Sequence, residues 1–219
     1  MKVTVLTPSI GTEELARCVE SVGGQTVTVR HVVVADGKKY HAEVSKKAMK
    51  GWVGEGMTPK IYTVPDNTGA GGFYGHRIYA NYSQIIDCDY LFLLDEDNTY
   101  DRNHVESLLP IAEQYGFAFS RRKIYTKEGV LLGYDNREST GFADSELGYA
   151  LVDTSCWCFR KDNLFMLRAI DGGWGMDRVL TQYMISRYGK IYEQCSGLHT
   201  MNYFAPDHLI PHFKNIIDY

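Results

Sequence analysis

The sequence predicts an α/β fold of three layers around a central mixed, mainly parallel sheet. Three observations carry this expectation. Short apolar, β-branched runs alternate with stretches of helical periodicity along most of the 219 residues, the pattern of helices packed on the faces of a sheet. The run from Val32 to Ala35 is continuously apolar, as a strand covered on both faces requires. The run from Tyr90 to Leu94 ends directly on Asp95-Glu96-Asp97-Asn98, which sets an acidic group at the carboxyl end of a strand, the edge where open α/β sheets bind ligands.

The elements follow in order. Lys2 to Pro8 reads as a first strand, because β-branched residues precede the proline. Thr12 stands where it can cap a helix whose apolar stripe is Leu15, Cys18, Val19 and Val22. Arg30 to Asp36 is the second strand. Lys38 to Met57 reads as a short helix and loop, and Ile61 to Val64 returns to the sheet. Pro65 to Gly72 is a glycine-rich connection, after which Ile78, Tyr79, Tyr82, Ile85 and Ile86 recur at helical spacing. A helix over Asn103 to Gln114 uses Val105, Leu108, Leu109 and Ala112. Phe117–Ser120 and Ser155–Phe159 are strands on either side of a long polar passage. Gly172 to Gly175 leads into a helix from Met176 to Arg187, packed through Val179, Leu180, Tyr183 and Met184. No short repeat or low-complexity linker divides the chain, so residues 1–219 are expected to form one domain.

Composition narrows the function. Hydrophobic residues make up 44% and charged residues 23%, a globular balance that excludes disordered and collagenous classes. The formal charge of −4 argues against a broad basic nucleic-acid surface. Arg121-Arg122-Lys123 is the local exception, either a contact for phosphates or an anionic acceptor or a solvated cluster. The 16 tyrosines can line a sugar or nucleobase site or simply pack. The N-terminal residues lack a secretory pattern, and no stretch is long and apolar enough to span a bilayer. The five cysteines are an odd set without metal-ligand spacing. Cys156 and Cys158 would share one strand face as buried thiols, which fits a reducing cytoplasm, with peripheral membrane attachment left open. A dinucleotide fold is disfavoured, since the first strand-to-helix turn contains only Gly11.

Asp95 and Asp97 can face one cavity, and their hard oxygens suit Mg²⁺ or Mn²⁺. Solvated carboxylates at a strand end are the alternative. Gly172-Gly173-Trp174-Gly175-Met176-Asp177 forms the second informative segment: Asp177 serves either as a general base or as a helix cap, and Trp174 either supports a sugar ring or packs in the core.

In order and spacing, these motifs resemble the GT-A glycosyltransferases, in particular the broad glycosyltransferase family 2 superfamily, from about Val3 to about Tyr188. The resemblance implies a three-layer GT-A-like fold whose first half, roughly 1–100, binds the donor nucleotide, and whose second half, roughly 101–219, takes the acceptor. It implies that Thr7 and Pro8 shape the nucleotide pocket and that Asp36 bonds the base or ribose. Asn67, Gly69 and Arg77 would lie by the donor. Asp97 would hold the metal directly, with Asp95 supporting the ion or the donor. Asp177 takes the position of the catalytic base, beside Trp174, although Met176 stands where inverting relatives carry another acid. His199 resembles, loosely, a late histidine that completes the metal site; His208 and His212 are weaker matches.

The residues alone leave each of these open: Thr7 and Pro8 can merely end a strand, Asp36 can cap a turn, the glycines can make a bend, Arg77 can form a salt bridge, and His199 can pack. The implied activity is metal-dependent transfer of a sugar from a nucleoside-diphosphate sugar, with a uridine diphosphate sugar the leading candidate, to a hydroxyl by direct inverting displacement. The acceptor is unspecified among saccharide, lipid-linked sugar, protein and modified nucleic acid. A metal-dependent nucleotidyltransferase or pyrophosphorylase, and a non-catalytic nucleotide- or carbohydrate-binding protein, are the competing classes.

Overall fold

A computed structural model describes residues 1–52, 56–144 and 146–218. In chain order the elements are β1 (Val3–Ser9), α1 (Leu15–Gly23), β2 (Arg30–Ala35), α2 (His41–Gly51), β3 (Lys60–Thr63), α3 (His76–Tyr82), β4 (Tyr90–Leu93) and β5 (Thr99–Tyr100). Then come α4 (His104–Tyr115), β6 (Phe117–Thr126), β7 (Leu131–Asp135), β8 (Ala143–Asp144), β9 (Tyr149–Ala150) and β10 (Trp157–Arg160). The chain continues through α5 (Met176–Tyr188), β11 (Cys195–Ala205), α6 (Ile210–Phe213) and β12 (Ile217–Asp218).

The large sheet runs β12-β7-β6-β10-β4-β1-β2-β3, with β11 joining β6 and β5. Strands β4, β1, β2 and β3 are mutually parallel, while β10 is antiparallel to both β4 and β6. Two-residue alternation makes the layers. Val33 and Ala35 pack with Leu15, Val19, Val44 and Ala48 of α1 and α2. Val32 and Val34 join the larger core, which includes Ile78 and Tyr79 of α3. The expected mixed α/β architecture is present.

Four local expectations are corrected. Thr12 does not cap α1: its hydroxyl is buried without a partner, and its N–H donates to Glu96. The segment after Asp36 is a 3₁₀ turn (Lys38–Tyr40) followed by a full helix; the expected loop to Met57 includes residues 53–55, which lie outside the described residues. The strand beginning at Phe117 runs ten residues, because its polar second half pairs with β11 and β7 rather than facing solvent. Thr154–Cys156 is a 3₁₀ turn, so β10 starts at Trp157 and the two buried thiols do not share one strand face. Strand β11 was not foreseen: Thr200, Met201 and Asn202 are consecutively buried, which hides the alternation that marks a half-buried strand.

Candidate active site

The parallel pairing of β4 with β1 carries Leu94 to Leu6 and releases the acidic turn at the carboxyl edge of the sheet. Asp95 turns inward. Its Oδ1 accepts the Tyr79 hydroxyl at 2.9 Å, its Oδ2 accepts the Ser155 hydroxyl at 3.1 Å, and its N–H donates to Ser155 Oγ at 3.0 Å. Burial and then the Asp153 charge raise its pKa, against the Tyr79 bond, His76 and Ser155. Asp97 turns out to the solvent of the cleft. Partial desolvation by the surrounding protein, then the Asp95 and Glu96 charges, push its pKa up to about 7, so the two carboxylates repel each other. Asn98 is buried, and its Oδ1 accepts the Phe204 N–H at 3.2 Å; its side chain ties β11 to the turn instead of facing the cleft.

Glu96 has a role that its position in the acidic run did not indicate. Its carboxylate accepts the Ser9 hydroxyl at 2.6 Å and the N–H groups of Ile10, Gly11 and Thr12 at 3.0, 3.2 and 3.1 Å. Successive N–H groups form a concave anion site, and the chain fills it with its own carboxylate. The acidic turn and the loop after β1 are therefore one unit.

The remaining donor-side residues have well-defined surroundings. The Thr7 hydroxyl is buried against His31 Nε2 at 2.9 Å, so its side chain points into the core; burial lowers the His31 pKa to about 3 and keeps the imidazole neutral. Pro8 lies against Gly75. Asp36 is buried and accepts the Thr68 N–H and hydroxyl and the Gly69 N–H at 2.7, 2.8 and 2.8 Å. It thus holds the glycine-rich connection. Any side chain at Gly69 would meet the Tyr74 carbonyl oxygen at 2.3 Å. Asn67 donates to the Tyr40 hydroxyl at 3.3 Å. Arg77 lies 3.5 Å over the Phe73 ring, with its Nε 3.6 Å from Asp171.

The fold closes this edge with the loop before α5. His76 Nδ1 is 3.2 Å from the Gly172 carbonyl oxygen, and a Cβ on Gly173 would come within 2.9 Å of the Gly72 carbonyl oxygen, so the two glycine-containing segments touch. Trp174 is 75% exposed, which excludes its packing in the core. Asp177 lies in the first turn of α5, its Oδ1 accepting the Arg178 N–H at 2.8 Å. Thr181 Oγ donates to the Asp177 carbonyl and accepts the Val152 N–H, both at 2.8 Å, which brings Asp153 beside α5. Burial and then Asp153 push the Asp177 pKa up to about 6, against the Arg178 N–H, Arg122 and His76. Asp153 and His76 act electrostatically on both Asp95 and Asp177, and Ser155, bonded to both Asp95 and Asp153, links the acidic turn to the segment beside α5.

Arg122 corrects the basic-segment reading. It is buried and bonded to Asp135 at 2.7 Å, to Asp153 at 2.8 Å and to Glu138. Its neighbours are also occupied: Arg121 bonds Asn136 at 2.7 Å and Lys123 bonds Asp101 at 2.6 Å. His199 is not brought to the acidic turn. It sits midway along β11, with Nε2 3.0 Å from Asn136 Oδ1 and the ring against Tyr134, about 15 Å along the strand from Phe204, which meets Asn98. His212 bonds Glu138 at 3.1 Å, and His208 is exposed. Among the described residues no group of three His, Cys, Asp or Glu side chains is arranged to hold a metal ion. His76, Asp153 and Ser155, missed in sequence, carry no local motif, and the separate roles of Glu96 and Arg122 are not written in the acidic and basic runs that contain them; only pairing across the sheet assembles these groups. No helix among the described residues is long and apolar enough to cross a membrane.

No protein-family profile matches this sequence, and no curated protein matches it. Solved structures do. The chain is similar to crystal structures of S. aureus TarS residues 1–349, with a TM-score of 0.63 at 14% identity over 93% of this chain. The same protein in complex with UDP gives 0.65 at 13%, and in complex with UDP-GlcNAc 0.61 at 14%, each over 94% of this chain. The chain spans 60% of the length of TarS 1–349. At this identity the likeness shows the fold, which is of the GT-A type.

Proposed function

We propose that this chain is a glycosyltransferase that moves a sugar from a nucleoside-diphosphate sugar, a UDP-sugar first among them, to an acceptor hydroxyl by direct inverting displacement. The observation that carries the reading is the meeting of the two acidic motifs: Ser155 bonds both Asp95 and Asp153, Thr181 joins Val152 to Asp177 at the start of α5, and His76 reaches the Gly172 carbonyl of the loop before it. The likeness to TarS complexes with UDP and UDP-GlcNAc supports the choice of donor.

Two carboxylates suffice for Mg²⁺ or Mn²⁺ when substrate phosphates and water complete the shell. In this reading Asp97 holds the ion, and Asp95, whose two oxygens already accept hydrogen bonds, supports it. When bound, the ion neutralises charge gathering on the diphosphate. Asp177 takes the proton from the acceptor hydroxyl as that oxygen attacks the anomeric carbon, and a pKa of about 6 leaves it mostly ionised at neutral pH yet basic enough to accept a proton. Trp174 offers a ring face beside it. Residues 1–100 serve the donor, with Thr7, Pro8, Asp36, Asn67, Gly69 and Arg77 shaping that side, and residues 101–219 serve the acceptor.

Calorimetry with UDP in the presence and absence of Mn²⁺ tests the donor side. Wild type is expected to bind UDP more tightly with the ion, and Asp97→Asn to lose that gain. Mass spectrometry of UDP-sugar incubations with a diverse acceptor panel tests the chemistry: UDP release with a glycosylated product is expected, whereas pyrophosphate release from a nucleoside triphosphate would favour nucleotidyl transfer.

A further inference from the structure

Tyr74 holds a backbone conformation that its side chain does not favour. Among the described residues it is the one residue other than glycine with a positive φ, 51°, in the left-handed region where a Cβ crowds the backbone. The turn imposes this. The N–H groups of Phe73 and Tyr74 both donate to the Gly69 carbonyl, at 3.1 and 3.2 Å, and the Tyr74 carbonyl oxygen lies so close to Gly69 that a Cβ there would meet it at 2.3 Å. The other positions of the same hand in this turn, Gly71 and Gly72, are glycines, and a glycine at 74 would serve the backbone equally well. Packing does not ask for the ring either. It is 57% exposed and joins none of the three apolar clusters. An unfavourable backbone that carries an unburied ring marks a side chain kept for what it meets outside the protein.

Its neighbours place that ring at the junction of the two glycine-containing segments. The Tyr74 ring stands edge-on to His76, with centroids 6.1 Å apart. His76 and Tyr79 lie three residues apart on α3 and so on one face; Tyr79 bonds Asp95, and His76 bonds the Gly172 carbonyl. Gly72 and His76, on either side of Tyr74, both touch the loop that carries Trp174, at Gly173 and Gly172. Tyr74 belongs to the connection that Asp36 holds, and Trp174 to the loop that leads into Asp177.

We propose that Tyr74 is a specificity-determining residue whose ring forms the donor-side wall of the slot for the transferred sugar, with Trp174 the wall on the acceptor side. A phenol ring offers an apolar face to the C–H face of a pyranose, and its hydroxyl adds a hydrogen bond at the edge. The inference rests on the glycosyltransferase reading and assigns Tyr74 to the sugar, not to the nucleotide.

Calorimetry in Mn²⁺ with UDP, UDP-glucose, UDP-galactose and UDP-GlcNAc tests it. Tyr74→Gly removes the ring and relieves the backbone, so its denaturation midpoint should be no lower than that of wild type. This variant should bind UDP within twofold of wild type, yet weaken the tightest of the three sugar nucleotides at least fivefold and narrow the spread among them. Tyr74→Phe, which keeps the ring, should stay within twofold for that sugar nucleotide. Unchanged affinity of Tyr74→Gly for all three overturns the proposal, and UDP binding and sugar transfer by wild type would leave the glycosyltransferase reading standing. An equal loss for UDP and the sugar nucleotides also overturns it, since Tyr74 would then serve the turn or the nucleotide. If wild type binds neither UDP nor any of the three, the glycosyltransferase reading falls and the role of Tyr74 falls with it.

Discussion

Asp177 sits where two effects oppose each other. The first turn of a helix favours a negative charge, yet burial and the nearby Asp153 dominate and raise its pKa to about 6. A base must be deprotonated to act, so kcat/KM should rise with pH up to about 6 and level off above it. Asp177→Asn should lower kcat by about 10² to 10⁴-fold, the usual contribution of a positioned base, while UDP affinity by calorimetry stays within twofold. A pH profile with no inflection near 6, or full turnover in the Asn variant, would remove Asp177 from the base role. Trp174 shows how one side chain can be read two ways: its sequence context allowed both core packing and sugar support, and its exposure excludes the core.

At the scale of elements, the decisive join is the Glu96 carboxylate in the loop between β1 and α1. Four donors converge on it, and charged hydrogen bonds are worth more than neutral ones. Glu96→Gln keeps the shape but turns an NH₂ group toward donors. It should cost about 1–3 kcal/mol in chemical denaturation. Because the loop and the Asp95–Asp97 turn move together, the same variant should raise KM for the donor more than KM for the acceptor; equal changes in both would reduce Glu96 to a scaffold residue. The strands that carry this edge were legible because β1 is rich in β-branched residues and β2 and β4 hold continuous apolar runs. Strand β11 was not, since its partners β5 and β6 satisfy polar residues such as Asn202, which donates to Thr99 and Asp101, and such pairing leaves no alternation to detect.

Across the whole molecule, Arg122 fastens β6 to the Asp135–Glu138 turn and to Asp153 at the floor of the cleft. Burial pushes the Asp135 carboxyl up, but the Arg122 charge and the N–H groups of Glu138 and Ser139 outweigh it and hold the pKa below the usual carboxylate range. A depressed folded pKa lends stability that is present at neutral pH and lost as acid protonates the group. Arg122→Met leaves three buried carboxylates uncompensated and should cost about 3–5 kcal/mol at pH 7. Its denaturation midpoint should then rise on mild acidification, opposite to wild type; a parallel decline in both would show that Arg122 does not hold the cluster.

The sequence by itself determined the α/β alternation, the acidic turn at the end of β4 and the Trp174–Asp177 segment before a helix, because each is written in neighbouring residues whose apolar periodicity or turn chemistry acts locally. Tertiary structure alone decided which of these groups meet. It closed the Gly72 and Gly173 loops on each other, linked Asp153 to Asp95 through Ser155, placed His199 in the middle of β11 against Asn136 and Tyr134, and buried Arg122 among carboxylates. Those outcomes depend on strand order and register, which pair residues as distant as Asn98 and Phe204, and on burial, which sets whether a charge finds a partner or a cleft.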